Sequence, residues 1–418
     1  MAEHDIITGL DIGSSFIRIA VGQASVDREK IHIIGSAEVP AEGISKGIIS
    51  SIEDAVSSIS ICLEKAERMV GVPVRSAWVG ISGAHIISQE SRGVVAVARS
   101  DGEISEDDIA RAVEAARTVA TPPNYEILHV IPKSFTVDGQ IGIKDPLGMT
   151  GVRLEVDTQI IQGLSSQIKN LTKAVYRPGI NIEDLVVSIL ATSEAVLTSR
   201  QKELGAVVVN IGGATTSLAV FEEGDILHTA VLPVGSDHIT SDIAIGLRIA
   251  IDTAEKIKLE FGSAAPTKFG KKDELDIGEL EGKEPNFVSK KYISEIIDAR
   301  VEEIFDKVDA ELRKIGKSGK LPAGVVLTGG GAKLEGIVEV AKKKLRLPAS
   351  LGIPLNITSA IDKINDPAFS TAIGLVIWGN QLAISGSHRG GLGQLLKYLP
   401  NFGGLTKQAR KMFKKIIP

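Results

Sequence analysis

The feature of this sequence that most constrains its fold is an internal repeat at an offset of 199 residues. Asp11-Ile12-Gly13-Ser14 is matched by Asn210-Ile211-Gly212-Gly213, and each motif follows an apolar run typical of a buried strand. An alternating strand, a turn and a third strand then follow, ending at Lys30–Val39 in one half and at Asp225–Val234 in the other. The same strand–loop–strand–turn–strand unit therefore occurs twice, which predicts a duplicated α/β fold.

The size and composition limit the class of protein. The 418 residues suffice for two or three domain-sized units, and the apolar content of 43% excludes a disordered or collagen-like chain. The single cysteine, Cys62, excludes an intramolecular disulfide and a cysteine-rich metal site and favours a reducing cytoplasm. The first residues are acidic, unlike a signal peptide, and no run of 18 apolar residues occurs. We therefore expect a cytoplasmic protein with no membrane span.

Charge is distributed unevenly along the chain. The sequence has 47 Lys and Arg against 52 Asp and Glu, a net charge of −5. The last acidic residue is Asp366, and the seven basic residues beyond it leave 40 basic and 52 acidic residues before it. An acidic body with a charge of −12 therefore carries a basic tail of +7, which predicts a polyanionic partner for the tail.

The repeated motifs have the composition of anion-binding turns. A strand that ends in Asp-x-Gly and two small residues presents consecutive backbone N–H groups, and glycine lets an anion approach closely. Two such loops facing one cleft would hold the phosphates of a nucleotide from both sides, and the carboxylate of Asp11 would bind hydrated Mg²⁺. The alternative is a pair of plain β-hairpins with glycine at their turns.

A third glycine motif, Gly329-Gly330-Gly331, lies between the apolar run Val325–Leu327 and a helix expected from about Leu334. Three glycines before a helix N-terminus suit the sugar and α-phosphate of a nucleotide. No Gly-Lys-Ser/Thr follows, so the motif is not a Walker A loop. Its position after the second phosphate-type loop favours the nucleotide hypothesis over the hairpin alternative.

These three motifs resemble the nucleotide loops of the actin-like ATPase superfamily, and Ser193–Leu197 and Ala372–Leu375 resemble its two connecting helices. Within that superfamily, the segment between Ser82 and Gly163 and the basic tail resemble the FtsA family of bacterial cell-division proteins. The resemblance covers residues 5–418 and implies a duplicated actin-like, ribonuclease-H-like α/β fold. An inserted α+β module replaces the usual small subdomain of the first half, and an amphipathic helix ends the chain.

The resemblance also implies a site for ATP and Mg²⁺. Asp11 is assigned to Mg²⁺ through water, and the nucleotide contacts are assigned to three loops and one helix start: Gly13, Ser14, Ser15 and Arg18; Asn210, Gly212, Gly213 and Thr215; Gly329, Gly330 and Gly331; and Gly235. Most ATP-hydrolysing members have Asp at the position of Asn210, so we expect a nucleotide switch with slow or no turnover. Glu194 is a weak candidate for orienting a water, and no catalytic residue is assigned.

The expected organisation follows from these segments. The first core subdomain comprises residues 1–83 and 163–200, the second 201–236 and 317–384, and the small subdomain of the second half 237–316. Residues 84–162 form the inserted module, expected as β-β-α-β-β, with strands His85–Gln89, Val94–Arg99, Glu126–Val137 and Leu154–Gly163 and a helix from Ser105 to Val119. Ser105 is its expected N-cap. The resemblance implies that this module contacts later division proteins and neighbouring subunits.

The small subdomain of the second half is expected to hold one helix over His238–Phe261 and a longer one over Lys290–Lys314. Between them, Lys268–Glu284 alternates in charge and is interpreted as a solvated loop or hairpin. The resemblance implies that this subdomain binds the acidic, hydrophobic C-terminal tail of the tubulin-like protein FtsZ. Lys291 and Arg300 are candidates for that contact, the alternative being that both are merely solvated.

The tail combines a linker and an amphipathic helix. Residues 385–404 are interpreted as flexible, and residues 405–418 place apolar and basic side chains on separate helical faces: Leu405, Met412, Phe413, Ile416 and Ile417; and Lys407, Arg410, Lys411, Lys414 and Lys415. Such a helix lies in an anionic phospholipid interface without crossing it. The alternatives are docking on the chain's own body and a basic arm for nucleic acid. A nucleic-acid arm needs no apolar stripe, so no nucleic-acid partner is expected.

Together these features favour an ATP-switched, self-associating protein on the cytoplasmic side of the bacterial membrane at the division site, where it would anchor FtsZ filaments. One alternative is an actin-like platform protein of a pilus or secretion system, which shares the loops and the module. A metabolite kinase of the same superfamily is the other, and the tail and the module count against it.

Overall fold

The computed structural model describes residues 6–25, 30–118, 121–270, 272–359 and 361–387. Its first half begins with three antiparallel strands, β1 (Ile6–Ile12), β2 (Phe16–Ala24) and β3 (Ile31–Pro40), followed by the two-residue strands β4 (Ile44–Ser45) and β5 (Ile48–Ile49). Helix α1 (Ile52–Val70) then leads to β6 (Ser76–Ile81), which lies parallel to β1. The Ser51 hydroxyl caps α1, and Gly71 ends it in the left-handed conformation that glycine adopts without strain.

The inserted module follows β6 as a four-stranded sheet covered by one helix. Its elements are β7 (Ile87–Ala96), α2 (Glu106–Arg117), β8 (Tyr125–Val137), β9 (Gln140–Ile143) and β10 (Arg153–Leu164), and the sheet order is β7-β10-β8-β9. Ser105 caps α2 as predicted, since its hydroxyl accepts from the Asp108 N–H while the Asp108 carboxylate accepts from the Ser105 N–H at 2.9 Å. A small apolar core of its own lies between this helix and the sheet.

The chain then returns to the first half and crosses to the second. Helix α3 (Ser165–Tyr176) leads to strand β11 (Asn181–Val187), which pairs in parallel with β6. Two helices follow, α4 (Ser188–Val196) and α5 (Ser199–Leu204). The second half opens with the antiparallel strands β12 (Ala206–Ile211), β13 (Thr216–Glu222) and β14 (Asp225–Leu232). Its central strands are buried on both faces: Val208 contacts the first core, and Val207 and Val209 the second.

The small subdomain of the second half contains three short helices, a pair of short antiparallel strands and one long helix. Its elements are α6 (Ser236–Leu247), α7 (Ile251–Phe261), β15 (Glu274–Asp276), α8 (Ile277–Glu281), β16 (Phe287–Ser289) and α9 (Lys290–Lys314). Helix α9 has the predicted bounds, and the apolar residues at every third or fourth position face the core. The chain ends its described part with β17 (Gly324–Thr328), α10 (Ile337–Leu345), β18 (Ala349–Leu351), β19 (Ile357–Ser359) and α11 (Ser370–Ser387).

The two sheets have the same topology, which confirms the predicted duplication. The order β3-β2-β1-β6-β11 in the first half corresponds to β14-β13-β12-β17-β18 in the second, with three antiparallel strands followed by parallel ones in each. Strand β19 follows the strands of the second half and pairs with β3, so it forms the edge of the first sheet beside β3. Among the described residues, no helix has both the length and the apolarity needed to cross a bilayer.

Several predicted boundaries were wrong for identifiable reasons. The two predicted strands, His85–Gln89 and Val94–Arg99, are replaced by the single strand β7. Gly93 lies within this strand and does not form a turn. Glycine is needed there because a Cβ would lie 1.9 Å from the carbonyl oxygen of Ala112 on α2. The hairpin strand β9 was missed, although Asp138 and Gly139 have the positive φ values of a tight turn. The module is therefore β-α-β-β-β.

Two further expectations failed in the second half. The predicted helix His238–Phe261 is two helices, since Arg248 adopts a left-handed conformation (φ 59°) that ends α6, while the apolar pattern continues across the break. The stretch Lys268–Glu284 is not simply a solvated loop, because Leu275 and Ile277 are buried and belong to β15 and α8. Both errors come from tertiary packing that local patterns do not encode.

The inserted module contacts both halves. At its joint with the first half, the buried His129 accepts the Val187 N–H at 3.0 Å through Nε2, and its ring lies 5.9 Å from that of Trp378. Burial lowers the pKa of His129 to about 4, so it remains a neutral acceptor at neutral pH. On the other side the Lys144 ammonium pairs with Asp225 at the start of β14. The module therefore bridges the two halves.

Helices α4 and α11 cross in direct contact, and Gly374 of α11 lies against the backbone of α4. A Cβ on Gly374 would lie 2.0 Å from the carbonyl oxygen of Ala191, which is backbone and cannot swing aside. A Cβ on the helical Gly246 of α6 would instead meet the flexible Cδ1 of Ile296, at 2.6 Å. The crossing therefore depends on a glycine.

We expect Gly374→Ala to lower the free energy of unfolding by about 2–3 kcal/mol, because the two helices must move apart. Gly246→Ala is the matched control: the Ile296 side chain can rotate, and alanine favours the helix by about 0.5–1 kcal/mol. Calorimetric melting of the two variants measures the difference. Equal melting temperatures would show that the crossing does not require close contact at Gly374.

Candidate functional site

The two repeated motifs form equivalent turns that face each other across one cleft. In the first, the Gly13 N–H donates to the Phe16 carbonyl at 3.1 Å, and in the second the Gly212 N–H donates to the Thr215 carbonyl at 2.9 Å. The strands that enter and leave these turns pair in the same register, since Asp11 lies opposite Arg18 and Asn210 lies opposite Ser217. The turns are therefore a structural repeat as well as a sequence repeat.

The third loop passes over the end of β12. Gly329 has a φ of 87°, and a Cβ there would lie 2.2 Å from the Asn210 Oδ1, so both conformation and space require glycine. Gly330 faces open space in the cleft. The chain continues as a 3-10 turn over Gly330–Lys333, and α10 begins at Ile337, three residues later than predicted, because Ser263 pairs with Glu335 before the helix starts.

Of the residues nominated for the nucleotide site, Glu194 included, all but two line the same cleft, whose volume is about 570 Å³. The lining nominees are Asp11, Gly13, Ser14, Ser15, Arg18, Asn210, Gly212, Gly213, Thr215, Gly329, Gly330 and Gly331. Gly235 lies behind the second loop, where a Cβ would be 2.3 Å from the Gly213 carbonyl oxygen, so its role is to let α6 pack against that loop. Glu194 is held by Lys202 at 2.6 Å and is not among the lining residues.

The floor of the cleft is tied to the two crossing helices. The Asn210 amide Nδ2 donates to the Thr371 hydroxyl at 3.2 Å, and that hydroxyl lies 2.9 Å from the hydroxyl of Thr192 on α4. The Thr328 hydroxyl, at the end of β17, donates to Ser370 at 2.8 Å. Movement of α11 against α4 is therefore coupled by hydrogen bonds to the second and third loops.

Asp11 is the acidic group of the floor. Burial raises the pKa of its carboxyl to about 6, and the neighbouring Arg18 opposes that shift. The Arg18 guanidinium is itself held by Glu38 at 2.6 Å and lies over the rings of Phe16 and Phe369. Arg18 thus acts on Asp11 through its charge while its Nε donates to the Glu38 carboxylate.

Several lining residues could not be identified from the sequence. Asp237 follows Gly235 on α6, and Glu255 and Lys258 lie one turn apart on α7, where the Lys258 ammonium contacts Glu255 at 2.7 Å and the Thr240 hydroxyl at 2.8 Å. Lys333 pairs with Asp366 at 2.6 Å beside the third loop. The break between α6 and α7 positions Glu255 and Lys258, and the prediction of one continuous helix concealed it.

The residues present fit a Mg²⁺–nucleotide. The volume lies within the range of ligand pockets, Gly13 and Gly212 hold two anion-binding turns, and the glycines of the third loop leave room for a sugar. Among the described residues, no three His, Cys, Asp or Glu side chains converge on one point. Nucleotide sites hold Mg²⁺ with one or two carboxylates, phosphate oxygens and water. Asp11 is the carboxylate that would face the ion.

The nominated partner residues lie on α9. Lys291 is half exposed, and its nearest carboxylate, Glu295, is 3.9 Å away. Arg300 donates twice to Asp242 of α6, at 2.5 and 2.8 Å, and also contacts Glu303, so its guanidinium joins the two helices. The nominated membrane residues, from Leu405 to Ile417, lie outside the described residues.

Comparison with solved structures assigns the class. A type IV pilus biogenesis complex of PilM and PilN aligns with a TM-score of 0.65 at 17% identity over 90% of this chain and 98% of that one. MreB5 of Spiroplasma citri bound to ADP aligns with a TM-score of 0.54 at 14% identity over 92% and 99%. The fold, with its two matched turns around one cleft, is that of the actin-like ATPases, as predicted.

Sequence comparison assigns the family. A family model described as "Cell division protein FtsA" matches residues 207–374, and one described as "SHS2 domain inserted in FTSA" matches residues 83–162. FtsA of Pseudomonas aeruginosa is 37% identical over 91% of this chain and 93% of its own length, and that of Bacillus subtilis 38% over 90% and 84%. FtsA of Escherichia coli K12 is 33% identical over 92% of each. The chain belongs to the FtsA family of cell-division proteins.

The raised pKa of Asp11 predicts a pH-dependent stability cost. Between pH 3.8, its ordinary pKa, and about pH 6, the folded state binds a proton that the unfolded state has released. Stability contributed by this group therefore falls as the pH rises through that window. We expect Asp11→Asn to raise the free energy of unfolding, with a gain about 1–2 kcal/mol larger at pH 7.5 than at pH 4.5.

Thermal unfolding at both pH values measures the effect. Asp107→Asn, at a carboxylate with a side chain 81% exposed on α2, is the control for a surface charge. A gain from Asp11→Asn that does not change with pH would contradict a raised pKa for Asp11.

Proposed function

We propose that this chain is an ATP-binding, self-associating protein that anchors FtsZ filaments to the cytoplasmic face of the bacterial membrane at the division site. The observation that carries the proposal is the pair of equivalent glycine turns facing one cleft in a chain of the FtsA family. The module at residues 84–162 recruits later division proteins and contacts neighbouring subunits. ATP, with Mg²⁺ at Asp11, acts as a switch.

Turnover of the nucleotide is slow or absent. The amide of Asn210 adds no negative charge at the floor of the cleft, and its Nδ2 is committed to Thr371. Glu194, the weak candidate for orienting a water, is engaged with Lys202 outside the cleft lining. Neither residue supplies a general base at the phosphates, so binding and release, not hydrolysis, set the state of the protein.

The FtsZ tail binds at the outer end of the small subdomain of the second half. Ile245 and Ile251 expose about three quarters and one half of their surface, and Tyr292 of α9 is 47% exposed. Tyr292 lies close to α6, since its Oη is 4.0 Å from a Cβ built on Gly246. Exposed apolar side chains on α6, α7 and α9, together with the half-exposed ammonium of Lys291 on α9, match an acidic, hydrophobic peptide. Arg300 supports this surface by fixing α9 to α6.

Charge reversal tests this surface. We expect Lys291→Glu to weaken binding of a synthetic FtsZ C-terminal peptide about five- to tenfold, because it replaces attraction to the acidic peptide by repulsion. Ile245→Asp removes exposed apolar contact area and weakens binding as well. The control is Lys343→Glu, at a lysine with a side chain 76% exposed on α10. Fluorescence anisotropy gives the affinities, and equal binding by the Lys291 and Lys343 variants would assign the contact elsewhere.

The tail supplies reversible membrane attachment. Five large apolar side chains partly buried in the interface contribute about 5–8 kcal/mol, and each basic residue adds up to about 1 kcal/mol on anionic lipid. Ordering a dozen residues costs about 1 kcal/mol each, which offsets much of that. One tail therefore binds weakly, and a polymer binds tightly because each further tail acts at high effective concentration. This coupling explains why an actin-like fold carries such a tail.

Vesicle co-sedimentation tests the attachment. The full chain is expected to pellet with anionic vesicles, and more strongly with ATP if ATP promotes self-association, whereas a chain truncated after Gly404 stays in the supernatant. Phe413→Glu is the finer variant, since it interrupts the apolar stripe and leaves all the basic residues in place. Equal pelleting of the full and truncated chains would contradict the tether.

A second candidate is a platform protein of a pilus machine, favoured by the structural likeness to the PilM–PilN complex. That likeness concerns the fold alone at 17% identity. A platform protein would bind the cytoplasmic segment of a membrane protein and would not need its own amphipathic tail. Capture of the FtsZ peptide distinguishes the two candidates.

A further inference from the structure

The carboxylate of Asp237 lies where the two phosphate loops meet. The Ser15 hydroxyl, at the tip of the first loop, donates toward its Oδ2 at 3.2 Å and Oδ1 at 3.4 Å. The Asp237 N–H donates to the Gly213 carbonyl of the second loop at 2.9 Å. A Cβ built on Gly213 would lie 1.8 Å from the Ser15 Oγ and 2.7 Å from the Asp237 Oδ2. Three residues, one from the first half and two from the second, thus meet at one point in the cleft.

The positive charges of the cleft are already engaged. Of the described residues that line it, the cations are Arg18, Lys258 and Lys333, and they pair with Glu38, Glu255 and Asp366 at 2.6 to 2.7 Å. The loops offer backbone N–H groups but no unengaged cation to the phosphates. Asp237 adds a negative charge at the same place, so a bare polyphosphate meets repulsion there.

We propose that Asp237 is the second carboxylate that faces the Mg²⁺ of the nucleotide, taking the role that Asn210 cannot fill, and that it makes nucleotide binding depend strictly on Mg²⁺. The inference rests on the proposed nucleotide-binding function. Mg²⁺ is held in nucleotide sites by one or two carboxylates together with water and phosphate oxygens. Asp11 supplies one of these from the floor of the first half, and Asp237 supplies the other from the second half.

The position of Asn210 supports this division of roles. Its amide donates to Thr371, and its Oδ1 packs against the backbone of Gly329. Asn210 therefore fixes the third loop to the floor, and its side chain carries no charge for a cation. The carboxylate of Asp237, on the side of the cleft formed by the second half, would supply the negative charge that Asn210 lacks. Because Asp237 belongs to α6, metal binding would also be coupled to the small subdomain of the second half.

A purely structural role for Asp237 predicts something different. As a latch it would only hold Ser15 and so keep the loops together. Asp237→Asn separates the roles, because an amide oxygen still accepts the Ser15 hydrogen bond while the charge is lost. Ser15→Ala is the complementary variant, since it removes that hydrogen bond and leaves the carboxylate in place.

The experiment is an equilibrium titration of the full chain with a fluorescent ATP analogue, at saturating Mg²⁺ and in EDTA. We expect Asp237→Asn to weaken binding about tenfold with Mg²⁺, as loss of an outer-shell ligand does, and to leave binding in EDTA equal or tighter. Ser15→Ala should retain the wild-type ratio of the two affinities. Adding a carboxylate in the Asn210→Asp, Asp237→Asn double variant should recover most of the Mg²⁺ dependence.

An unchanged ratio of affinities in Asp237→Asn would overturn the inference, as would loss of the ratio in Ser15→Ala. Melting temperatures check that each variant folds, and Asp237→Ser, which removes the charge with a smaller side chain, replaces Asp237→Asn if that variant unfolds. Failure of the proposed function has a separate signature, since the wild-type chain would then bind no nucleotide under either condition.

Discussion

The crossing of α4 and α11 is the contact on which the rest of the structure depends. Backbone touches backbone there, because Gly374 has no Cβ to hold the carbonyl of Ala191 away. The same two helices carry Thr192 and Thr371, whose hydroxyls lie 2.9 Å apart, and the Thr371 hydroxyl accepts from the Asn210 amide. A change in the angle between the helices must therefore move the second loop relative to the first, which couples the cleft to the arrangement of the halves.

Much of the fold could be predicted because the chain repeats itself. A turn closed by Gly13 and Phe16 recurs at Gly212 and Thr215 with the same offset, so two copies supported an inference that one would not. The first and last residues of helix α9 were predicted correctly because the spacing of its apolar residues and its length are local properties of the sequence. What failed was set by tertiary packing: Arg248 breaks an apolar pattern that continues across it, and Gly93 lets helix α2 pack closely on strand β7 and forms no turn.

The site was predicted in part for the same reason. Residues adjacent to glycine motifs were found, whereas Glu255, Lys258 and Asp366 reach the cleft from elements whose placement depends on the whole fold. In the sequence, the only sign that Asp237 belongs to the site is its position two residues after Gly235. Physically, each cation among the described lining residues pairs with a carboxylate, which leaves backbone amides, Asp11 and Asp237 for the ligand. Under the proposed function, such a site is better suited to a metal-bound nucleotide than to a free anion.

The central claim is that the two equivalent turns hold the phosphates of one nucleotide between the halves. The most direct measurement is a crystal structure of the chain grown with Mg²⁺ and a non-hydrolysable ATP analogue. The account predicts density for the β- and γ-phosphates between the turns at Gly13 and Gly212, with the sugar against Gly329 to Gly331. A nucleotide bound with its phosphates away from either turn, or no nucleotide at concentrations that saturate solution binding, would contradict it.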